Sequence, residues 1–228
     1  MESQYNRDLN EYTLTFSQES VEDNLDSNNF PLHIPIKLGL LNENGEEIPI
    51  PADHQHGVFS LRDARQSITF NNISKPPIPS LLRDFSAPII LKYDYSESDL
   101  ALLAAHDADP FNRWEASQKL ALGTILKAIA SFQKKSLPNY GQDIINASRM
   151  ALEMPQVESA FATEILTMPS PSYIAEQMEI VDPEAILLAR IGLKTQIASS
   201  LEDRFAEVYM RSEHKGDYEP SADSAGTR

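Results

Sequence analysis

Ala105-His106-Asp107-Ala108-Asp109-Pro110-Phe111-Asn112-Arg113-Trp114-Glu115-Ala116 divides the chain into two kinds of sequence. Before it, short alternating apolar runs are broken by prolines; after it, apolar residues recur at steps of three and four. Asp109 has the side chain of an N-cap, able to accept from the free N–H groups of a first helical turn. Pro110 follows at the first helical position, where a missing N–H costs nothing. Trp114, the only tryptophan, lies three residues after Phe111, which puts both rings on one helix face. The stretch reads as the seam between a β domain and a helical one, with Phe111 and Trp114 expected in the core and Arg113 expected to tie the domains together.

Working backward, Tyr12 to Phe16 alternates large apolar residues with threonine, and Leu32 to Leu40 keeps apolar residues on even positions. Pro35 assigns the second of these to an edge or a bulge. Asn44-Gly45 is a hairpin turn signal, and Glu47 to Ile50 is the expected return strand. Further strands are expected at 58–61, 67–70 and 87–93. About seven short strands at this spacing predict a small antiparallel sandwich. Met1 to Asn10 is polar and expected to fray. Residues 19–29 carry Glu19, Glu22, Asp23 and Asp26 without a base and read as a solvated loop.

Working forward, Ser96 to Asp99 opens one helix by capping-box chemistry. A second runs from Pro110 to about Lys134, burying Phe111, Trp114, Leu122, Ile125, Ile129 and Phe132, with Glu115 and Lys119 paired at i, i+4. A third carries Ile144, Ala147, Ala151 and Met154 on one stripe. Pro155, Pro171 and Pro183 each mark a further first turn, with Ser170 and Asp182 as caps. One long final helix is expected from Pro183 through Val208. Helices joined by short loops make a layered array. The polar residues Ser212 to Arg228 end with a possible new cap at Ser221 to Thr227, so the array is expected to be truncated there. The division is therefore 1–93, a β-sandwich with an incomplete N-terminal edge, and 94–228, the first part of an α-helical domain.

In 228 residues, 34 acids against 19 bases leave a net charge of −15. Such a field disfavours nucleic acid and anionic membrane surfaces. No cysteine is present, so disulfides, thiolate nucleophiles and Cys-ligated zinc are excluded. Met1 to Tyr5 shows neither a basic nor an apolar signal region. The longest apolar helical run, Leu120 to Phe132, is interrupted by Lys127 and too short to span a bilayer. Cytoplasmic is the default.

Two clusters carry chemistry-capable residues. Asp53-His54-Gln55-His56-Gly57 would place both imidazoles on one strand face, a weak chelate, but lacks a nearby third ligand and reads as a loop. His106, Asp107, Asp109 and Glu115 put carboxylates beside an imidazole, which acid–base work needs. Each also has a structural task in capping or pairing, and that reading is preferred. His33 and His214 stand apart. There is no His-Glu-x-x-His, no Gly-x-Gly phosphate loop and no Gly-x-Ser-x-Gly elbow.

Several stretches together are similar to one family, the bacterial alanyl aminopeptidases (aminopeptidase N), which are zinc-dependent gluzincins. They are Glu11–Gln18, Pro31–Ile36, Pro79-Ser80-Leu81-Leu82-Arg83-Asp84-Phe85-Ser86-Ala87-Pro88, Asp109–Ala116, Ala162–Ser170 and Ile180–Pro183, and they span nearly the whole chain. The resemblance implies an Ig-like sandwich and the start of a helical bowl, lying after the catalytic domain. It implies a parent enzyme that removes N-terminal residues from peptides with zinc. Neither the zinc motif nor the Gly-x-Met-Glu-Asn motif of the family occurs here, so no catalytic, cofactor-binding or metal residue is carried over. Implied partners are the catalytic domain of the same polypeptide and the parent's peptide substrates, with self-association through exposed helical faces. The alternatives are a stand-alone sandwich-plus-array adaptor and a regulator docking on an aminopeptidase in trans.

Overall fold

The computed structural model describes residues 1–19, 31–50, 57–154 and 159–212. Among the described residues, six strands are followed by seven α-helices: a small antiparallel Ig-like sandwich and then a helical array, as the sequence predicts. The chain divides into two compact units. One holds Met1–Ser96 with His106–Asn112, the other Glu97–Ala105 with Arg113–Arg228.

In the first unit, β1 (Glu2–Asn6), β2 (Glu11–Ser17) and β5 (Arg65–Phe70) form one sheet in the order β1-β2-β5. β3 (Ile34–Leu41), β4 (Val58–Leu61) and β6 (Ile78–Leu81) form the other, in the order β4-β3-β6. The period-2 pattern decides which way each strand faces. Tyr12, Leu14 and Phe16 from β2, Ile34, Ile36, Leu38 and Leu40 from β3, and Ile68 and Phe70 from β5 share one core. Outward on β2 and β5, Thr13 meets Thr69 and Thr15 meets Ser67, each hydroxyl pair 2.9 Å apart.

Four strand-level expectations change. The expected frayed end is β1, laddered to β2 from Glu2↔Thr15 to Asn6↔Glu11. Its sequence has little alternation, so the strand is set by its partner; Asn6 Oδ1 shapes the turn by accepting from the N–H groups of Asp8 and Leu9. Pro35 lies in the middle strand of its sheet rather than at an edge. It is tolerated because β3 pairs with β4 over Ile34–Lys37 and with β6 only from Leu38 on, leaving one side of Pro35 without a ladder. After the Asn44-Gly45 turn, with Gly45 at φ 80°, the return chain forms only the bridge Leu41↔Glu47 and the bond from Ile48 N–H to Leu40 O. Residues 87–93 form no strand; Ile89, Leu91 and Tyr93 pack on the core while Ile90 is exposed, so alternation there reflects burial without pairing.

In the second unit, α1 spans Glu97–His106, α2 Pro110–Gln133, α3 Asp143–Leu152, α4 Ser159–Leu166, α5 Pro171–Glu176, α6 Pro183–Ser200 and α7 Glu202–Ser212. The terminal residues of α1 and α2 that flank their connection, His106 and Pro110–Asn112, fall in the first unit. Ser170 accepts from Tyr173 N–H and Asp182 from Ala185 N–H, the two predicted caps. Glu115 and Lys119 pair at 3.0 Å. α3 packs against α4, α6 and α7.

The expected single final helix is two. Leu201, buried, leaves helical geometry at φ −127°, ψ 22°, and ends α6. The break directs α7 to the end of α3, where Arg211 donates to the carbonyls of Leu152 and Met154. On α2 the buried stripe runs through Ala116, Leu120, Ile125 and Ile129, while Leu122 and Phe132 are half-buried. The Pro155 start and the 213–228 tail lie outside the described residues.

Candidate functional site

The densest buried polar cluster among the described residues is built around the connection quoted at the outset, within the first unit. Ser80, Asp107, Asp109 and Asn112 are all buried there. Directly after β6, the backbone turns through unusual geometry: Leu82, Asp84 and Phe85 have φ of 58°, 54° and 52°. Each non-glycine residue in that region costs about 1–2 kcal/mol, so the surroundings must hold the segment in place.

They do so by specific bonds. Asp109 Oδ2 accepts from Asp84 N–H at 2.7 Å, while its Oδ1 accepts from Asn112 N–H at 2.9 Å, the N-cap bond of α2. One carboxylate therefore starts a helix and clamps a strained turn. Asn112 Nδ2 donates to Ser80 Oγ and to Leu81 O at 2.9 and 3.0 Å. Arg83 donates from Nε to Ser80 Oγ at 2.7 Å and from Nη2 to Glu47 and Asp107 at 2.6 and 2.9 Å. Lys37 N–H donates to Ser86 Oγ, and the Lys37 ammonium pairs with Asp84. Two glycines make room. A Cβ on Gly39 would lie 2.2 Å from Arg83 Cζ, and one on Gly45 would lie 2.3 Å from His106 Cγ.

Asp107 carries the electrostatic tension. Its side chain is fully buried; Oδ1 accepts from Asp109 N–H and Arg83, and Oδ2 has no hydrogen-bond partner. Burial pushes its carboxyl above the usual range. The Ser80 hydroxyl, the Arg83 guanidinium and the Asp109 N–H oppose this, and the Asp109 charge adds to it.

The four residues of the second chemistry-capable cluster are not brought together. His106 lies against the Gly45 turn, Asp107 and Asp109 serve the clamp, and Glu115 pairs with Lys119 in the other unit. His54 and His56 lie outside the described residues. Phe111 is 38% exposed and stands 4.2 Å from Phe85, and Trp114 is half-buried, so neither is the core ring expected. Arg113 Nε donates to Ala104 O, and the guanidinium sits 5.2 Å over Phe161, both in the second unit. Sequence reasoning had not singled out Ser80, Arg83 or Asn112 as one cluster. Their only signal was membership in two of the family-like stretches.

Among the described residues, no three His, Cys, Asp or Glu side chains are grouped to hold a metal ion. The buried carboxylates accept from N–H groups and from Arg83, so this donor set does not fit zinc. No helix among the described residues is long and apolar enough to cross a membrane.

Comparison with known proteins agrees with this architecture. The family described as "Domain of unknown function (DUF3458) Ig-like fold" matches residues 1–94, and "Domain of unknown function (DUF3458_C) ARM repeats" matches residues 97–228. Aminopeptidase N of Escherichia coli K12 is 33% identical over 223 residues, 96% of this chain and 26% of that protein. Aminopeptidase N of Haemophilus influenzae is 33% identical over 90% of this chain and 24% of its own length. The crystal structure of Legionella pneumophila aminopeptidase A in complex with aspartic acid matches with a TM-score of 0.77 and 27% identity, covering 99% of this chain and 25% of that one. The chain thus spans about a quarter of the length of the relatives it matches. It belongs to the DUF3458 family, an Ig-like domain followed by an ARM-repeat domain, and is a relative of the bacterial aminopeptidases N.

Proposed function

We propose that these residues form a non-catalytic part of a zinc-dependent aminopeptidase that removes N-terminal residues from peptides. Residues 1–93 act as a spacer, and residues 94–228 help wall the chamber through which peptides enter. Zinc and the activated water belong to a catalytic domain of the same polypeptide, outside these residues. The peptides are the parent's substrates, and nucleic acid and membranes are not partners. The cysteine-free composition suits a reducing, cytoplasmic setting.

The observation that carries this reading is the alignment itself: nearly all of the chain matches only 26% of the E. coli aminopeptidase N. The local chemistry agrees, because the buried carboxylates are spent on holding backbone. The test is hydrolysis of an alanine anilide by the purified 228-residue chain with added zinc. No turnover above a zinc-only blank is expected; clear turnover that is lost on chelation overturns the reading. Upstream in-frame DNA should encode His-Glu-x-x-His.

A further inference from the structure

α6 is apolar on two opposite sides. Ala185, Ile186, Ala189, Leu193 and Ile197 form the buried stripe. Leu187, Leu188 and Ile191 point the other way and are 56%, 43% and 54% exposed. Just ahead of the helix, Ile180 and Val181 are also exposed. No charge interrupts this patch from Leu187 to Ile191, because Arg190 turns aside to donate to Pro169 O at 3.1 Å. Glu184 lies on the same side one turn before Leu187, and after Ile191 that side continues as Lys194, Thr195 and Ala198, so the apolar exterior is confined to the Leu187–Ile191 segment.

A helix apolar on both sides is a helix between two layers. In stacked repeats each layer is covered by its neighbours, and only a terminal layer is polar outward. The helical residues match a family described as ARM repeats, and the relatives are about four times as long as the region they share with this chain. We propose that the Leu187–Leu188–Ile191 side of α6, with Ile180 and Val181, seats a further helical layer of the same polypeptide. That layer comes from the part of the longer protein outside these residues. The inference rests on the reading above, that the chain is part of a longer aminopeptidase. A second copy of this chain fits less well. Five side chains fall short of the roughly 800 Å² per partner of a stable interface, and two copies would each bring a net charge of −15.

The absence of cysteine makes the test direct. Ile191→Cys and, separately, Leu188→Cys are made in the 228-residue chain and in the full-length product of its gene. Alkylation at that residue is timed by peptide mass spectrometry. In the 228-residue chain both thiols should react within a few-fold of the unfolded rate. In the full-length protein both should slow on the order of a hundredfold, as amides and side chains under native packing do. Equal rates in the two proteins overturn the seat. So does protection in the 228-residue chain alone: if concentration-dependent, a second copy covers the patch; if not, the chain's own residues do. Alanine-anilide hydrolysis by the same full-length preparation keeps the two readings apart. Activity with fast labelling removes the seat alone, whereas slow labelling without activity supports the seat and removes the aminopeptidase reading.

Discussion

In the β unit, the inward residues of β2, β3 and β5 converge on one core, and the outward ones on β2 and β5 are threonine, serine, glutamate and arginine. In the helical unit, α6 has apolar residues on both sides and buries only one of them. The β unit also spends buried ionic groups on a strained turn. The buried polar groups of the helices, Ser117, Thr124 and Ser148, simply return a hydroxyl to a carbonyl three or four residues back. One unit is closed by a specific polar clamp; the other is a set of layers held by stripes and caps. A clamp fails when one partner is removed, while layers fail by loss of fit. That difference orders the expected effects.

The largest effect is expected at Arg83. Arg83→Leu leaves the Asp107 carboxylate buried without its countercharge, at a cost of about 3–5 kcal/mol. Adding Asp107→Asn should restore part of it, since the stranded charge is the main penalty. Amide exchange in β2 and β3 should quicken more than the Trp114 fluorescence transition shifts, because Trp114 lies in the helical unit. Additive losses in the double variant would dismiss the clamp.

Next is Gly192, in the middle of α6. Helix propensity alone says Gly192→Ala should stabilise by about 0.8–1 kcal/mol. Its Cβ would instead lie 1.9 Å from Tyr140 Oη, an oxygen that is buried without a hydrogen-bond partner. Overpacking of this kind costs about 1–3 kcal/mol, so urea unfolding should show a loss. Tyr140→Phe should reduce that loss in the double variant, and by itself should stabilise the chain by removing the orphan hydroxyl. A gain for Gly192→Ala would show that the connector before α3 is loose.

Asp182→Ala removes the cap bond to Ala185 N–H and should cost about 1 kcal/mol, with Asp182→Asn nearly neutral. Thermal unfolding followed by Trp114 emission reads this directly.

The smallest expected effect is in the pH dependence of the clamp. The folded Asp107 carboxyl titrates above its ordinary value of 3.8. Across the interval from 3.8 to the raised folded value, the native state holds a proton that the unfolded state has lost. Its contribution to stability is therefore greatest below 3.8 and falls as pH rises through that interval. Subtracting the stability curve of Asp107→Asn from that of the parent should leave this downward slope; an upward one would mean that Arg83 outweighs burial.

Much of the architecture was legible locally. A strand needs only alternation and a helix only spacing and caps, so β2, β4 and the caps at Asp109, Ser170 and Asp182 could be read from neighbouring residues. The clamp was legible only in part. The Asp109 cap is a three-residue pattern, but its second oxygen serves Asp84, 25 positions earlier, and Asn112 reaches Ser80 across 32.

What the sequence determined by itself is the order of strands before helices, the location of the handover and the faces to be buried, because each depends on periods of two or 3.6 residues and on capping chemistry. Only the tertiary structure decided that Met1 to Asn10 carries a strand, that the final helix breaks at Leu201, and that Arg83 crosses Gly39 to reach a buried aspartate. The physical reason is common to all three: a borrowed ladder, a redirected helix and a shared guanidinium are each set by a partner outside the element itself, which the element's own pattern does not encode.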